Sequence, residues 1–403
     1  MQNSLHQIAF ISFFRFYYLL TSVSFYSYIP LYFSASGFDA RKVGTLFAIQ
    51  SSMSILTYLP SGFINDRLSA KKQIFCATFI YCIFTLGLNI ATNYTHFLIL
   101  FTLWGISATM LDNSTNILYY KESQIVNNRL FFSFFGITST LSYALGGKLG
   151  SALSSGNNFR PLFMTVFIMS LFLILFSRTL PDTRVQSVRL KDYHNDIFSF
   201  KSLIIAANLF LFTYHWGAEL TSFTVFFKTY AALDNNLISY IYLEVGLLMS
   251  FIVFTLGYYR ERIKLDPLCA LLIAVAASGG SQATMCYCTT FTTALINQFF
   301  HAIGDSFFIY YWLNIIPATF KYEKLGGASA FVNLFTVLSV IAGSFISGVI
   351  ANKFSNAYAP FLMSAALGSL IYPLAIISRY KINSINKSIK VSEENHDYRK
   401  TAV

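Results

Sequence analysis

Two pairs of ionisable residues share one spacing and lie inside apolar stretches of the chain. His215 precedes Glu219 by four residues, and His301 precedes Asp305 by four residues. Side chains four positions apart lie on the same face of a helix, so each pair can form a histidine–carboxylate unit. Histidine changes its charge near neutral pH, so such a unit can pass a proton. The spacing predicts proton or substrate binding, and the alternative is a neutral polar pair that packs two helices.

Three further charged residues and one amide lie in apolar stretches: Arg15, Asp112, Glu244 and Gln298. A charge at the middle of a bilayer costs about 2.5–3.5 kcal/mol on insertion scales, so these groups are expected to face a polar cavity or a partner. Arg15 is predicted to bind an anionic solute group by a bidentate contact or to pair with Asp112. The alternative is that its long side chain reaches the membrane surface.

Asp112, Glu244 and Gln298 have predicted roles of their own. Asp112 is followed by Asn113, Ser114, Thr115 and Asn116, a polar block with no reason to face lipid, which predicts a cavity wall. Glu244 is a candidate for proton or substrate binding, although it could instead bridge two helices. Gln298 is expected to add a hydrogen bond to the solute.

The elements that carry these residues are predicted to be membrane helices. The chain has 403 residues, of which 55% are hydrophobic and only 11% charged, against about 25% charged in soluble domains. This composition excludes a soluble enzyme. A helix needs about 20 apolar residues to cross a hydrocarbon core of about 30 Å. Twelve stretches qualify, at 7–33, 43–63, 73–92, 96–119, 130–154, 161–179, 203–227, 236–257, 267–288, 291–316, 326–350 and 359–378.

The basic residues predict how these helices are oriented. With both termini in the cytosol, 21 of the 28 Lys and Arg residues fall on the cytosolic side and six on the opposite side. Cytosolic loops are enriched in Lys and Arg, so a multi-pass protein of the cell inner membrane with cytosolic termini is expected. The positive charge lies at membrane edges, which argues against a nucleic-acid partner. The five cysteines form no spaced metal-binding cluster, and neither a metal nor a cofactor is expected.

A repeat divides the chain into two halves. Gly62, Asp66 and Arg67 follow the second predicted helix, and Gly257, Glu261 and Arg262 follow the eighth, 195 positions later. The expected fold is an all-α membrane protein with two six-helix pseudo-repeats. The predicted parts are an N-terminal bundle (1–179), a cytosolic linker (180–201), a C-terminal bundle (202–379) and a cytosolic tail (380–403). Duplicated bundles of this kind place a solute site near the bilayer midplane.

The segment between the second and third helices carries a gate motif, defined here as Gly62, Asp66, Arg67, Lys71 and Lys72. Together with twelve helices in two halves, this motif resembles the loop motif of the major facilitator superfamily, although Ser69 stands where that motif has a glycine. The motif is expected to hold one end of the carrier closed. Gly62 would permit two helices to approach closely, and the charged residues would pair with the ends of neighbouring helices. The alternative is a solvated basic loop.

The resemblance implies that helices 1, 4, 7 and 10 line a cavity, and every intramembrane charge except Glu244 lies on one of them. A second similarity, carried by Asp112, Arg129 and the segment 145–149, is to the proton-symporter branch that contains phenylpropionate, lactose and nucleoside permeases. The expected protein is a monomeric secondary active transporter in the lipid bilayer. It is expected to be a proton-coupled symporter that imports a small polar or anionic organic solute by alternating access. The alternative is a proton-driven exporter of a drug, metabolite or siderophore.

Other classes of protein fit the sequence poorly. There is no nucleophile motif or paired set of metal ligands to support an enzyme. There is also no Gly-x-x-x-x-Gly-Lys-Ser/Thr phosphate loop, so transport is expected to draw on an ion gradient.

Overall fold

A computed structural model describes residues 2–38, 40–125, 129–154, 158–182, 197–320, 324–354 and 357–377, and no strand occurs within these ranges. Most of the predicted linker and the whole predicted tail lie outside them. The long helices are α1 (Gln2–Tyr26), α2 (Ala40–Arg67), α3 (Ala70–Ile90), α4 (Tyr94–Ile125), α5 (Arg129–Leu153), α6 (Arg160–Ser177), α7 (Phe200–Thr229), α8 (Asn235–Tyr258), α9 (Pro267–Ala283), α10 (Phe291–Thr319), α11 (Leu325–Phe354) and α12 (Ala359–Ser369). Short helices lie at Ile29–Ala35, Arg260–Ile263 and Met285–Tyr287.

Eight helices in the described ranges are long and apolar enough to cross a membrane. They are α1 with the short helix after it, α3, α4, α6, α7, α8, α11, and α12 extended to Ile377. Helix α9 is apolar but has only 17 residues. Helices α2, α5 and α10 are absent from this set; α10, for example, carries Asn297, Gln298, His301 and Asp305 within its length. The predicted number of twelve spans therefore stays a prediction.

The first predicted helix is broken in the structure. Helix α1 ends at Tyr26, and a separate short helix begins at Ile29. Pro30 explains the break, because proline has no N–H to donate to the carbonyl of Tyr26 and its ring clashes with that turn. Ser27 and Pro30, at this break, line a cavity described below.

The gate motif is helical rather than a loop, which corrects the sequence-based expectation. Helix α2 continues to Arg67, so Gly62 and Asp66 lie in its last two turns. Lys71 and Lys72 lie in the first turn of α3, and Leu68 and Ser69 alone connect the two helices. The Ser69 hydroxyl donates a hydrogen bond to the Asp182 carboxylate after α6.

The packing of the first six helices recurs in the last six. Helix α1 packs against α5 and α6, as α7 packs against α11 and α12. Helix α4 packs against α2 and α3, as α10 packs against α8 and α9. A duplicated six-helix unit would produce this pattern.

The two sets of six meet mainly through two helix pairs, α5 with α8 and α2 with α11. Close approach at the first pair depends on Gly246, where an added Cβ would lie 2.6 Å from both the Ala144 Cβ and the Thr140 carbonyl oxygen. At the second pair, a Cβ on Gly62 would clash with Ala330 and with the Gly326 carbonyl oxygen. These contacts frame the space between the two sets.

Candidate functional site

A cavity of about 380 Å³ lies between the two sets of six helices. Residues of α1 and α5 form one wall, and residues of α7, α8, α10 and α11 form the other. The cavity is lined by Arg15, Tyr26, Ser27, Pro30, Leu31, Ser139, Thr140, Tyr143, Trp216, Glu219, Leu220, Thr221, Phe223, Thr224, Val225, Tyr242, Val245, Met249, His301, Asp305, Ile309, Trp312 and Val340. The cavity is mostly apolar with a few polar groups, as solute-binding pockets are.

The cavity lies toward one end of the bundle. Along α1 and the short helix after it, the lining begins at Arg15 and then includes the segment from Tyr26 to Leu31. Helix α2 starts near that end and runs back, so the α2–α3 connection lies at the opposite end. The cavity is therefore on the side of the molecule away from the gate motif.

The structure brings the two predicted histidine–carboxylate pairs together, but each histidine makes its shortest carboxylate contact with the acid of the other helix. His215 Nε2 lies 3.2 Å from Asp305 Oδ1, and His301 Nε2 lies 3.2 Å from Glu219 Oε1. The pair within α10 is longer, with 3.7 Å between His301 Nε2 and Asp305 Oδ2. The four residues form one cluster at the junction of α7 and α10, and its shortest histidine–carboxylate contacts cross that junction.

Neighbouring polar groups fix this cluster. Trp216 Nε1 donates to Asp305 Oδ2 at 2.7 Å, and Gln282 Nε2 donates to Glu219 Oε1 at 2.6 Å. The Ser278 hydroxyl lies 3.1 Å from His301 Nδ1. A Cβ on Gly304 would clash with the backbone N of Ser278, so a glycine is needed for α10 to approach α9 this closely.

Ser278 and Gln282 of α9 were not among the residues predicted from the sequence. Ser278, Ser281 and Gln282 have the spacing of one helix face within an otherwise apolar helix. This polar stripe could have identified α9 as a neighbour of the ionisable residues.

His215 contacts a backbone carbonyl through one ring nitrogen and Asp305 through the other. Its Nδ1 lies 2.6 Å from the Phe212 carbonyl oxygen, which can only accept, so Nδ1 carries a hydrogen. Its Nε2 faces both Asp305 oxygens, at 3.2 and 3.4 Å. A bare nitrogen lone pair would repel a carboxylate. With Nδ1 as the donor to Phe212, a hydrogen bond between Nε2 and Asp305 needs a second proton, carried by the imidazole or by the carboxylate.

Part of this cluster has the composition of a metal site. One ligand atom each from His215, Glu219 and His301 lies within 4.8 Å of the other two. Imidazole and carboxylate groups are common ligands of transition metals. Each of these groups also has a direct protein partner, so the cluster is satisfied without an ion. The absence of a metal stays a prediction.

Arg15 is buried, and its side chain lies against α5. Only 8% of the residue is exposed. Its Nη1 donates to the Thr138 hydroxyl at 2.5 Å and to the Phe135 carbonyl at 3.4 Å, and the guanidinium lies 4.6 Å from the centre of the Phe135 ring. Nε is buried without a hydrogen-bond partner. Among the described residues, no carboxylate lies within 4.0 Å of this guanidinium.

Asp112, Glu244 and Gln298 do not line the cavity. Asp112 accepts a hydrogen bond from Asn116 at 3.2 Å and forms no ion pair with Arg15. One oxygen of Glu244 is buried without a hydrogen-bond partner. Gln298 is buried and donates to Asn297 at 3.1 Å.

Within the gate motif, Asp66 makes the contacts that join the two sets of helices. Its carboxylate accepts from the backbone N–H groups of Gly326 at 3.2 Å and Gly327 at 2.9 Å, in the first turn of α11. It also pairs with Lys121 of α4 at 3.0 Å, and both side chains are almost fully buried. The free N–H groups and partial positive charge of a helix N-terminus favour a carboxylate there. Arg67 and Lys72 are exposed, and Lys71 is half-buried.

Comparisons with known proteins agree with this architecture. The sequence model of the Major Facilitator Superfamily matches residues 8–281. The fold is similar to that of the human organic anion transporter MFSD10 (TETRAN), with a TM-score of 0.72, 13% sequence identity, and coverage of 92% of this chain and 99% of that one. No curated protein matches the sequence.

Proposed function

Because the chain belongs to the major facilitator superfamily and is therefore a multi-pass secondary transporter of a small molecule, we propose that it is a proton-coupled symporter. It imports a small polar or anionic organic solute by alternating access. In this proposal twelve helices cross the inner membrane, and both termini lie in the cytosol.

One observation carries the proposal for an anionic group. The guanidinium of Arg15 is buried on the cavity wall, and no carboxylate in the described residues pairs with it. A buried charge without a partner is costly. A solute carboxylate that forms a charge-assisted hydrogen bond with the free Nε would remove that cost.

The cluster of His215, Glu219, His301 and Asp305 supports proton coupling. Glu219, His301 and Asp305 line the same cavity as Arg15. A proton gained by this cluster makes the cavity more positive, which favours entry of an anion. A proton lost from it has the opposite effect. Proton binding and anion binding therefore favour each other.

The contacts of Asp66 support a closed gate at the α2–α3 end. They join α2 to α11, while the cavity lies toward the other end. We propose that these contacts break when the cavity becomes accessible from the α2–α3 end. The organic anion transporter that shares this fold is consistent with an anionic solute, although the proposal depends on Arg15.

The test is uptake of radiolabelled small organic carboxylates into vesicles that contain the purified transporter, under an inward proton gradient. Arg15→Gln should abolish uptake, and Arg15→Lys should retain part of it because the charge remains. Arg178→Gln is the matched control, since Arg178 is exposed at the end of α6. Wild-type uptake by Arg15→Gln would refute the assignment of Arg15. Outward movement of the solute driven by proton entry would favour the exporter.

A further inference from the structure

We propose that the solute is an elongated zwitterion, with a carboxylate held by Arg15 and an ammonium group held by Glu219. This inference rests on the proposed function, because it takes the cavity to be the transport site. It adds a second charge to the solute and assigns each charge to one wall of the cavity.

Arg15, which lines one end of the cavity, has a guanidinium edge without hydrogen-bond partners among the described residues. Arg15 uses Nη1 for its contacts with Thr138 and the Phe135 carbonyl. Nε has no hydrogen-bond partner, and Nη2 makes no hydrogen bond to a described residue. Nε and Nη2 form the side of a guanidinium that binds a carboxylate through two parallel hydrogen bonds.

The negative end has a free oxygen. Oε1 of Glu219 accepts a hydrogen bond from the side-chain amide of Gln282, and the same atom contacts Nε2 of His301. Its Oε2 makes no hydrogen bond to a described residue, and 14% of the side chain is exposed on the cavity wall. A carboxylate fixed through one oxygen is oriented to receive a donor from the cavity with the other.

The two ends lie at different depths. Arg15 and Tyr26 are eleven residues apart on α1, which is about 16 Å along the helix axis. One turn after Glu219, Phe223 and Thr224 contact Tyr242. Tyr242 packs against Gly147, whose carbonyl accepts a hydrogen bond from Tyr28, two residues after Tyr26. Glu219 therefore lies toward the Tyr26 end of the cavity and Arg15 at the other. A solute that contacts both needs a body between its charges.

The wall beside Glu219 suits an ammonium group and an apolar body. Trp216 and Phe223 lie on the same face of α7 as Glu219, three residues before it and four after it. The Tyr242 ring lies 5.4 Å from Phe223 and 4.9 Å from Tyr143, measured between ring centres. Aromatic faces attract cations, and rings also pack against apolar groups.

A solute with only a negative charge fits less well. Its apolar end would lie beside the free oxygen of Glu219, which would lose contact with water without gaining a partner. The zwitterion satisfies both walls. Since Arg15 belongs to the first six helices and Glu219 to the last six, it also bridges the two sets.

The test is equilibrium binding to the purified transporter, measured by calorimetry with three matched probes. The first is para-(aminomethyl)phenylacetate, which carries both charges. The second is para-methylphenylacetate, which carries the carboxylate alone, and the third is para-methylbenzylamine, which carries the ammonium alone. We expect the first to bind about tenfold more tightly than either of the others, a difference of about 1.4 kcal/mol.

Two variants assign the charges. Glu219→Gln should remove the advantage of the first probe over the second and leave the second unchanged. Arg15→Lys should weaken both carboxylate probes and leave the third unchanged. Glu244→Gln is the control for loss of an intramembrane acid, because Glu244 does not line the cavity. A wild-type elution profile in gel filtration confirms that each variant is folded.

Equal binding of the first and second probes would overturn the zwitterion and leave anion transport intact. A tenfold advantage that persists in Glu219→Gln would also overturn it, as would binding of none of the probes. A different result would refute the proposed function, namely unchanged carboxylate uptake by the Arg15→Gln variant.

Discussion

The Asp305 carboxylate is contacted by three side chains, those of His215, Trp216 and His301. Trp216 donates a hydrogen bond to Asp305, and both Trp216 and His301 line the cavity. A solute that displaces the Trp216 indole would remove a hydrogen bond from the carboxylate. Solute binding and proton binding can influence each other through this contact.

We predict that Asp305→Asn uncouples the carrier. Proton-driven accumulation should fall to the level of vesicles without protein, because the asparagine amide cannot take up and release the proton that Asp305 shares with His215. Exchange of labelled for unlabelled solute at equal pH should survive, because exchange requires no net proton release. Both are measured in the same vesicles, beside the wild-type carrier. Normal accumulation by Asp305→Asn would make this carboxylate structural.

The sequence predicted much of this cluster but not its pairing. Spacing within α7 and α10 identified His215, Glu219, His301 and Asp305 as groups on the faces of two helices. Which histidine meets which acid depends on how the two helices are rotated and offset, and spacing within one helix carries no such information. Gln282 was missed for a related reason, since its role comes from the packing of α9 against α10.

Among the elements, the junction of α2 with α11 joins the two sets of helices at the end away from the cavity. Asp66 is buried there with Lys121 and the N-terminus of α11. Removal of one partner from a buried ion pair costs about 3–5 kcal/mol. A cost of that size, borne only by the closed state, would shift a two-state equilibrium by two orders of magnitude or more.

We therefore predict that Asp66→Asn opens this end and abolishes uptake without preventing membrane insertion. Ala330 contacts the Gly62 region and is fully buried. A cysteine at position 330 should react faster with an impermeant maleimide in Asp66→Asn, applied from the α2–α3 side in inside-out vesicles. Lys72→Gln is the control, since Lys72 is exposed. Unchanged labelling and uptake would show that the motif is not a gate.

The contact of α5 with α8 gives a second prediction at this scale. A side chain at Gly246 would overlap Ala144 and the Thr140 carbonyl oxygen, and overpacking of this kind typically costs about 1–3 kcal/mol. Gly246→Val should lower the midpoint of thermal unfolding. Gly348→Val is the control, because nothing lies within 4 Å of a Cβ there. Equal midpoints in the two variants would contradict the close packing.

Helix positions were predicted better than helix ends. Hydropathy identified the helical stretches because apolar runs of this length need a helix to satisfy their backbone in lipid. It ended the second helix at residue 63, because the polar residues that follow were taken for a loop. The structure continues α2 to Arg67, since Asp66 is buried against α11 and so satisfied inside the protein.

At the scale of the whole molecule, the distribution of positive charge predicts the topology. Both termini should be cytosolic, because Lys and Arg are retained on the cytosolic side during insertion. Epitope tags at residues 1 and 403 should be inaccessible to antibody in intact cells and accessible after permeabilisation. Detection of either tag in intact cells would contradict the twelve-helix arrangement, because an even number of crossings that starts in the cytosol also ends there.

We propose that the two halves, the cavity between them and the closed junction at one end belong to a carrier that couples a solute to a proton. The most direct test is the sign of the proton movement. The transporter is placed in vesicles that contain a pH-sensitive dye, with no initial pH gradient. The carboxylate with the largest Arg15-dependent uptake is then added outside, and vesicles without protein correct for diffusion of the free acid. Symport predicts that the lumen becomes more acidic, in either orientation of the protein, and that Asp305→Asn abolishes the change; a lumen that becomes more alkaline would show exchange of solute for protons and contradict the account.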